Sequence, residues 1–91
     1  MNSEIDKNVL SQRQPMISVE GIIIASRWDK QGNIVELAIA TRNEEEYLVA
    51  DQDQVTKMKP LLRKEAQVRG ILQTKDGKKI IHVAEFNQKG K

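Results

Sequence analysis

Two short stretches of this sequence put cations where a turn would expose them: Arg27-Trp28-Asp29-Lys30 and Lys75-Asp76-Gly77-Lys78-Lys79. Lysine and arginine in such loops could meet phosphate oxygens. Trp28 is the only tryptophan and could stack on a base, a contact that contributes about 1–3 kcal/mol per base in single-strand binders. Tyr47 offers a second ring. Arg27, Trp28, Lys30, Tyr47, Lys75, Lys78 and Lys79 are thus residue types that could make such contacts. A plainer reading stands beside this one. Rings make up only 3% of the chain, and Trp28, Tyr47 and Phe86 could all serve the core or its cap. Glu44-Glu45-Glu46 would repel phosphate near Tyr47, and Arg63, Lys64 and Arg69 read as solvated charge.

Other chemistry is poorly supplied. A nucleophilic mechanism needs a serine, cysteine or lysine beside an oriented base; there is no cysteine, and His82 is the only imidazole. The carboxylates fall in loops, away from any apolar pocket that could raise a pKa. His82 has no partner at metal-ligand spacing. Asp51-Gln52-Asp53 opens like a calcium loop, but it lacks the glycine at position six and has Leu62 in place of the bidentate glutamate. Gly32 and Gly77 belong to turns, and no glycine-rich loop precedes a helix, so a phosphate cradle is absent. The expectation is a protein that is not an enzyme, with no metal and no cofactor.

Composition sets outer bounds. Ninety-one residues make one domain, which buries roughly 60% of its unfolded surface. With 15 basic and 13 acidic side chains the net charge is only +2, far from the overwhelmingly basic signature of a protein held on duplex DNA by phosphate contacts alone, yet compatible with a modest local basic patch. The absence of cysteine excludes disulfides and thiolate metal sites. The first seven residues lack a basic region followed by an apolar one, so no export signal is expected. Apolar runs such as Ile22-Ile23-Ile24-Ala25 are too short to span a bilayer. A cytoplasmic location is expected.

The elements that must position these residues follow from periodicity. Residues 1–16 are polar, with a helical stripe through Ile5 and Val9 that fails at Gln12; they read as a flexible tail, with a single helical turn as the alternative. From Ile17 the pattern has the period of a strand. Ile17, Val19, Gly21, Ile23 and Ala25 alternate with a second series that itself turns apolar at Ile22 and Ile24. That suits a long strand bent at Gly21 and buried on both faces beyond it. Asp29-Lys30-Gln31-Gly32-Asn33 is a turn. Val35, Leu37, Ile39 and Thr41 mark a second strand, whose outward face carries Glu36, Ala38 and Ala40. Tyr47-Leu48-Val49-Ala50 forms a short third strand.

Val55, Met58, Leu61 and Leu62 then follow helical spacing, with Asp51 or Asp53 available as an N-cap. Pro60 lacks an N–H and disfavours helical geometry at Lys59. The helix is expected to end near Met58, with Pro60-Leu61-Leu62 as a separate turn. Residues 66–74 form a fourth strand, Asp76-Gly77 is a strong hairpin signal, and residues 80–86 form a fifth. In that last strand Ile81 and Val83 face one way, and Ile80, His82 and Ala84 the other. Residues 88–91 are a polar tail. Val19-Glu20-Gly21-Ile22 is echoed by Val68-Arg69-Gly70-Ile71, as if two strands shared one bend.

The order β-β-β-α-β-β, with Val19-x-Gly21, Tyr47-Leu48-Val49, the helix, Val68-x-Gly70 and an apolar last strand, resembles the oligonucleotide/oligosaccharide-binding (OB) fold. The likeness is to small bacterial, anticodon-binding-like OB domains and covers about three quarters of the chain. Pro60 departs from it by interrupting the helix. The resemblance implies a mainly β, five-stranded Greek-key barrel over residues 17–87, with one short helix between strands three and four. It also implies a binding face on strands two and three, flanked by the first-to-second and fourth-to-fifth strand loops, which makes Arg27, Trp28, Lys30, Tyr47, Lys75, Lys78 and Lys79 the candidate nucleic-acid-binding residues. The expected function is non-enzymatic binding, of single-stranded DNA or RNA in one reading. The other reading is a protein- or peptide-binding adaptor that uses a strand edge or the same groove.

Overall fold

The structure is a computed structural model that describes residues 15–89. Its elements are β1 (Met16–Trp28), β2 (Ile34–Ala40), β3 (Glu46–Val49), α1 (Gln52–Met58), a 3-10 turn (Lys59–Leu61), β4 (Glu65–Lys75) and β5 (Lys78–Gln88). Residues 1–14 of the expected N-terminal tail and 90–91 of the C-terminal one lie outside the described residues. Met16 and Gln88, assigned to the tails from sequence, belong to strands.

Branched side chains from Ile17 to Ile24 favour extended backbone, and β1 runs for 13 residues. It pairs antiparallel with β4 over residues 16–22 and with β2 over residues 22–28. Ile22 is where the strand changes partner, facing both Glu65 and Ala40. Gly21 allows the change: a Cβ there would run into the Ala40 carbonyl. The expected bent strand is thus present, but its second face is not buried. Ile22 remains 40% exposed, because nothing packs over the outside of the barrel at that point.

The strands close in the order β1-β2-β3-β5-β4, with β3 and β5 parallel and every other neighbouring pair antiparallel. A helix between the third and fourth strands completes the arrangement of an OB-type barrel. Closure leaves one interior, filled by Ile23, Leu37, Ile39, Val55, Met58, Val68 and Ile81, each no more than 2% exposed.

A seven-residue helix is marginal by itself. α1 is held because Val55 and Met58 point into the barrel. Asp51 stands at its N-cap but makes no side-chain cap hydrogen bond. Beyond Met58 the chain tightens into the 3-10 turn at Pro60, as the missing N–H requires. Among the described residues no helix is long and apolar enough to cross a membrane.

In β5 strict alternation fails at one point. Arg69 pairs with Glu85 while Gly70 pairs with Val83, which leaves Ala84 as a bulge. The extra residue reverses the phase, so Phe86, and not Glu85, packs on the core after Ile81 and Val83. The echoed repeats also acquire a meaning. Val19 pairs with Val68, and Gly70 abuts the His82 carbonyl as Gly21 abuts that of Ala40. The first residues of the two repeats thus pair with each other, and each glycine meets a carbonyl of the neighbouring strand.

Candidate functional site

Register partners share a face of a sheet, and the outside of this barrel carries one continuous row: Ile24, Ala38, Leu48, Ile80 and Gln73. The small Ala38 is fully covered by its neighbours. Along this row an open groove of about 470 Å³ runs from Ser26 and Glu36, past Leu48 and Glu44 to Glu46, to Gly77, Lys78 and Lys79 on the β4–β5 hairpin. Its apolar floor is narrow and its walls are charged. Four glutamates stand against two lysines.

The β1–β2 loop is held by Asp29. Its Oδ1 accepts the backbone N–H of Gln31 and of Asn33, both at 2.9 Å. The Asn33 amide donates to Oδ2 at 3.3 Å. These donors, the Asn33 N–H first, hold the Asp29 carboxyl below its ordinary value. Lys30 projects from this turn and Trp28 precedes it, opposite Ile34 and 56% exposed. Arg27 reaches across the strand pair, its Nε 3.4 Å from Glu36 Oε1.

The other loop is a two-residue hairpin. Asp76 and Gly77 both have positive φ, 54° and 78°, the geometry of a type I′ turn. Lys75 and Lys78 face each other across it. Lys79 follows, paired in register with Tyr47. Its Nζ is 3.0 Å from Glu45 Oε1 and 5.5 Å from the centre of the Tyr47 ring. The Tyr47 hydroxyl donates to the same Glu45 oxygen at 3.0 Å.

Each member of this trio shifts the others. Glu45 is held below the usual carboxylate range, first by the hydrogen bond from Lys79 and then by that from Tyr47. Lys79 is raised, chiefly by Glu45. Tyr47 is raised first by burial and then by Glu45.

The structure thus gathers Tyr47 with Lys79 and Lys75 with Lys78, and leaves Arg27, Trp28 and Lys30 at the other loop. Tyr47 shares a face with Ile39 and packs against the core, so its ring lies on the inner side of the sheet and not on the groove row. Trp28 is the remaining exposed ring. Glu36, Leu48 and Ile80 were outside the sequence-derived site. Their outward parity was readable from alternation, but which outward residues meet across strands depends on register.

His82 lies on the same outer surface with its Nε2 2.6 Å from Gln73 Oε1. Among the described residues no polar or charged side chain is buried, and no cluster of three or more His, Asp or Glu could hold a metal ion. The groove presents carboxylates, two lysines and a narrow apolar floor, and the end of β1, beside the β1–β2 loop, presents one open indole. No protein-family model and no curated protein matches this chain.

Proposed function

We propose that this protein is a non-enzymatic binding module of OB type whose groove takes an extended, cationic segment of a protein partner. The observation that carries the reading is the charge of the groove: Glu36, Glu44, Glu45 and Glu46 line it, while Lys79 and Arg27 are already neutralised by two of them. A phosphate backbone laid there would face carboxylates. A lysine- or arginine-bearing strand would find acceptors in Glu44 and Glu46 and an apolar contact in Leu48. Charge complementarity of this kind sets partner choice and encounter rate more than raw affinity.

A second reading, single-stranded nucleic acid, has its own support. Trp28 is open for stacking, and Lys30, Lys75 and Lys78 have no ion-pair partner among the described residues. The likeness to anticodon-binding-like OB domains favours it as well.

Two titrations separate the readings. A labelled lysine-rich peptide and a labelled mixed-sequence single strand are each followed by fluorescence anisotropy at low and moderate salt. The proposal expects the peptide to bind and the double variant Glu44→Gln/Glu46→Gln to weaken it. Failure of the peptide to bind, with a single strand that binds and is lost in Trp28→Ala, would overturn it in favour of stacking.

A further inference from the structure

Residues 54–64 hold four cations, Lys57, Lys59, Arg63 and Lys64, and no carboxylate. All four are exposed, and none has an ion-pair partner among the described residues. In the groove, by contrast, Lys79 is paired to Glu45 and Arg27 to Glu36, and of its lining cations Lys78 is left without an ion-pair partner among the described residues. Packing has sorted this stretch by polarity: Val55 and Met58 are buried, Leu61 and Leu62 pack against the core, and the cations are left outside.

The backbone beneath them is fixed. Leu62 N–H donates to the Lys59 carbonyl at 3.0 Å and Lys64 N–H to that of Leu61 at 2.8 Å. Arg63 N–H donates to the Ile23 carbonyl at 2.7 Å, and Ile23 N–H to that of Lys64 at 3.1 Å. The last two bonds tie the segment to the fully buried centre of β1. Lys57 and Lys59 complement the carbonyl end of α1. Arg63 and Lys64 lie past it and have no such role. The carboxylates nearest to this stretch in sequence are Asp51 and Asp53 at the start of α1 and Glu65 at the start of β4.

We propose that this basic cap of the barrel is a second binding surface, separate from the groove, that holds the phosphate backbone of a nucleic acid without reading its sequence. Arg63 presents a planar fork suited to a phosphate, and the three lysines act as point charges. A nucleic acid is favoured over an anionic membrane because surface-bound protein segments add apolar side chains to their cations. Among the described residues the exposed large hydrophobic ones are Met16, Ile22 and Trp28, none of them in this stretch. Four phosphate contacts give a slope of log K against log salt of about −2.8 for a single strand and about −3.6 for duplex DNA.

The test measures anisotropy of labelled single-stranded and duplex oligonucleotides of mixed sequence, from low to physiological salt, on the full chain. The variants are Lys57→Gln/Lys59→Gln/Arg63→Gln/Lys64→Gln and the charge-keeping Lys57→Arg/Lys59→Arg/Lys64→Arg. The wild type and the arginine variant are expected to bind both oligonucleotides with the slopes above. The glutamine variant should lose most of the slope and at least tenfold in affinity at low salt. Should it fail to fold, Lys57→Gln/Arg63→Gln should lower the single-strand slope by about 1.4. The groove peptide, titrated on the glutamine variant, should bind as it does to wild type, so the two proposals fail separately. No oligonucleotide binding at low salt, a slope unchanged by the substitutions, or tighter binding to phosphatidylserine vesicles than to either oligonucleotide would each overturn this one.

Discussion

The Lys79 ammonium and the Glu45 carboxylate, contributed by the β4–β5 hairpin and the β2–β3 loop, meet at 3.0 Å. A cation that sequence alone offers to phosphate is therefore already engaged, and its partner also accepts the Tyr47 hydroxyl. The groove behaves as an acidic site because of this pairing and that of Arg27 with Glu36.

Glu45→Gln releases Lys79. At low salt the peptide affinity of the groove is expected to fall roughly two- to fivefold, the scale of one exposed ion pair. Any oligonucleotide binding should gain, with its single-strand salt slope steeper by about 0.7, one added phosphate contact. Anisotropy titrations of both ligands on the same variant read the opposite signs directly.

Tyr47 is the only tyrosine, so absorbance of tyrosinate reports it alone. Its midpoint in the folded protein is expected above the ordinary value of 10.0. In Glu45→Gln it should move down yet stay above 10.0, because burial is the larger cause of the shift. A midpoint at the ordinary value in the folded wild type would contradict the placement of the ring against the core.

The same trio gives stability a pH dependence at both ends. Tyr47 and Lys79 bind their protons more tightly when folded, so their contribution is complete below pH 10.0 and is lost as pH rises through the folded values. Glu45 binds its proton less tightly when folded, so its contribution is complete above 4.5 and is lost as pH falls through the folded value. Thermal melts should show both falls. Glu45→Gln should lessen the acid-side fall without removing it, since Asp29 is depressed as well.

Gly21→Ala and Gly70→Ala force a Cβ against the Ala40 and His82 carbonyls, backbone atoms that cannot step aside. Each is expected to cost about 1–3 kcal/mol or more by overpacking. Gly77→Asn, at a φ of 78° with no atom within 4 Å, should cost less than either, because only backbone strain remains and asparagine adopts the left-handed region more readily than most side chains. Urea denaturation of the three variants measures the contrast.

Trp28→Ala should change stability by no more than about 0.5 kcal/mol, as for other exposed sites. Phe86→Ala should cost about 3 kcal/mol, the low end for a core phenylalanine, because the ring is only half-buried. Circular dichroism in urea distinguishes these outcomes and checks the bulge at Ala84 that turns Phe86 inward.

Local physics made much of the barrel readable in the sequence. Branched residues in period two named the strands, Pro60 ended α1 where its missing N–H had to, and Asp76-Gly77 supplied the two left-handed residues a type I′ hairpin needs. The Val-x-Gly repeats marked both places where a neighbouring carbonyl approaches too closely for a side chain. These features depend on residues a few positions apart, and that is the range over which a sequence displays its own constraints.

The tertiary structure decided what depends on register and closure. The exchange of partners at Ile22, the parallel pairing of β3 with β5 and the bulge at Ala84 each move side chains between faces without leaving a local mark. The candidate site changed for the same reason. Lys79 and Glu45 are 34 positions apart, and whether a lysine is free or neutralised is a matter of ångströms across strands. Types and spacing of residues determined that this chain folds as a small five-stranded barrel with one short helix; the distances set by its closure decided which of its charges are paired and which stay open to solvent.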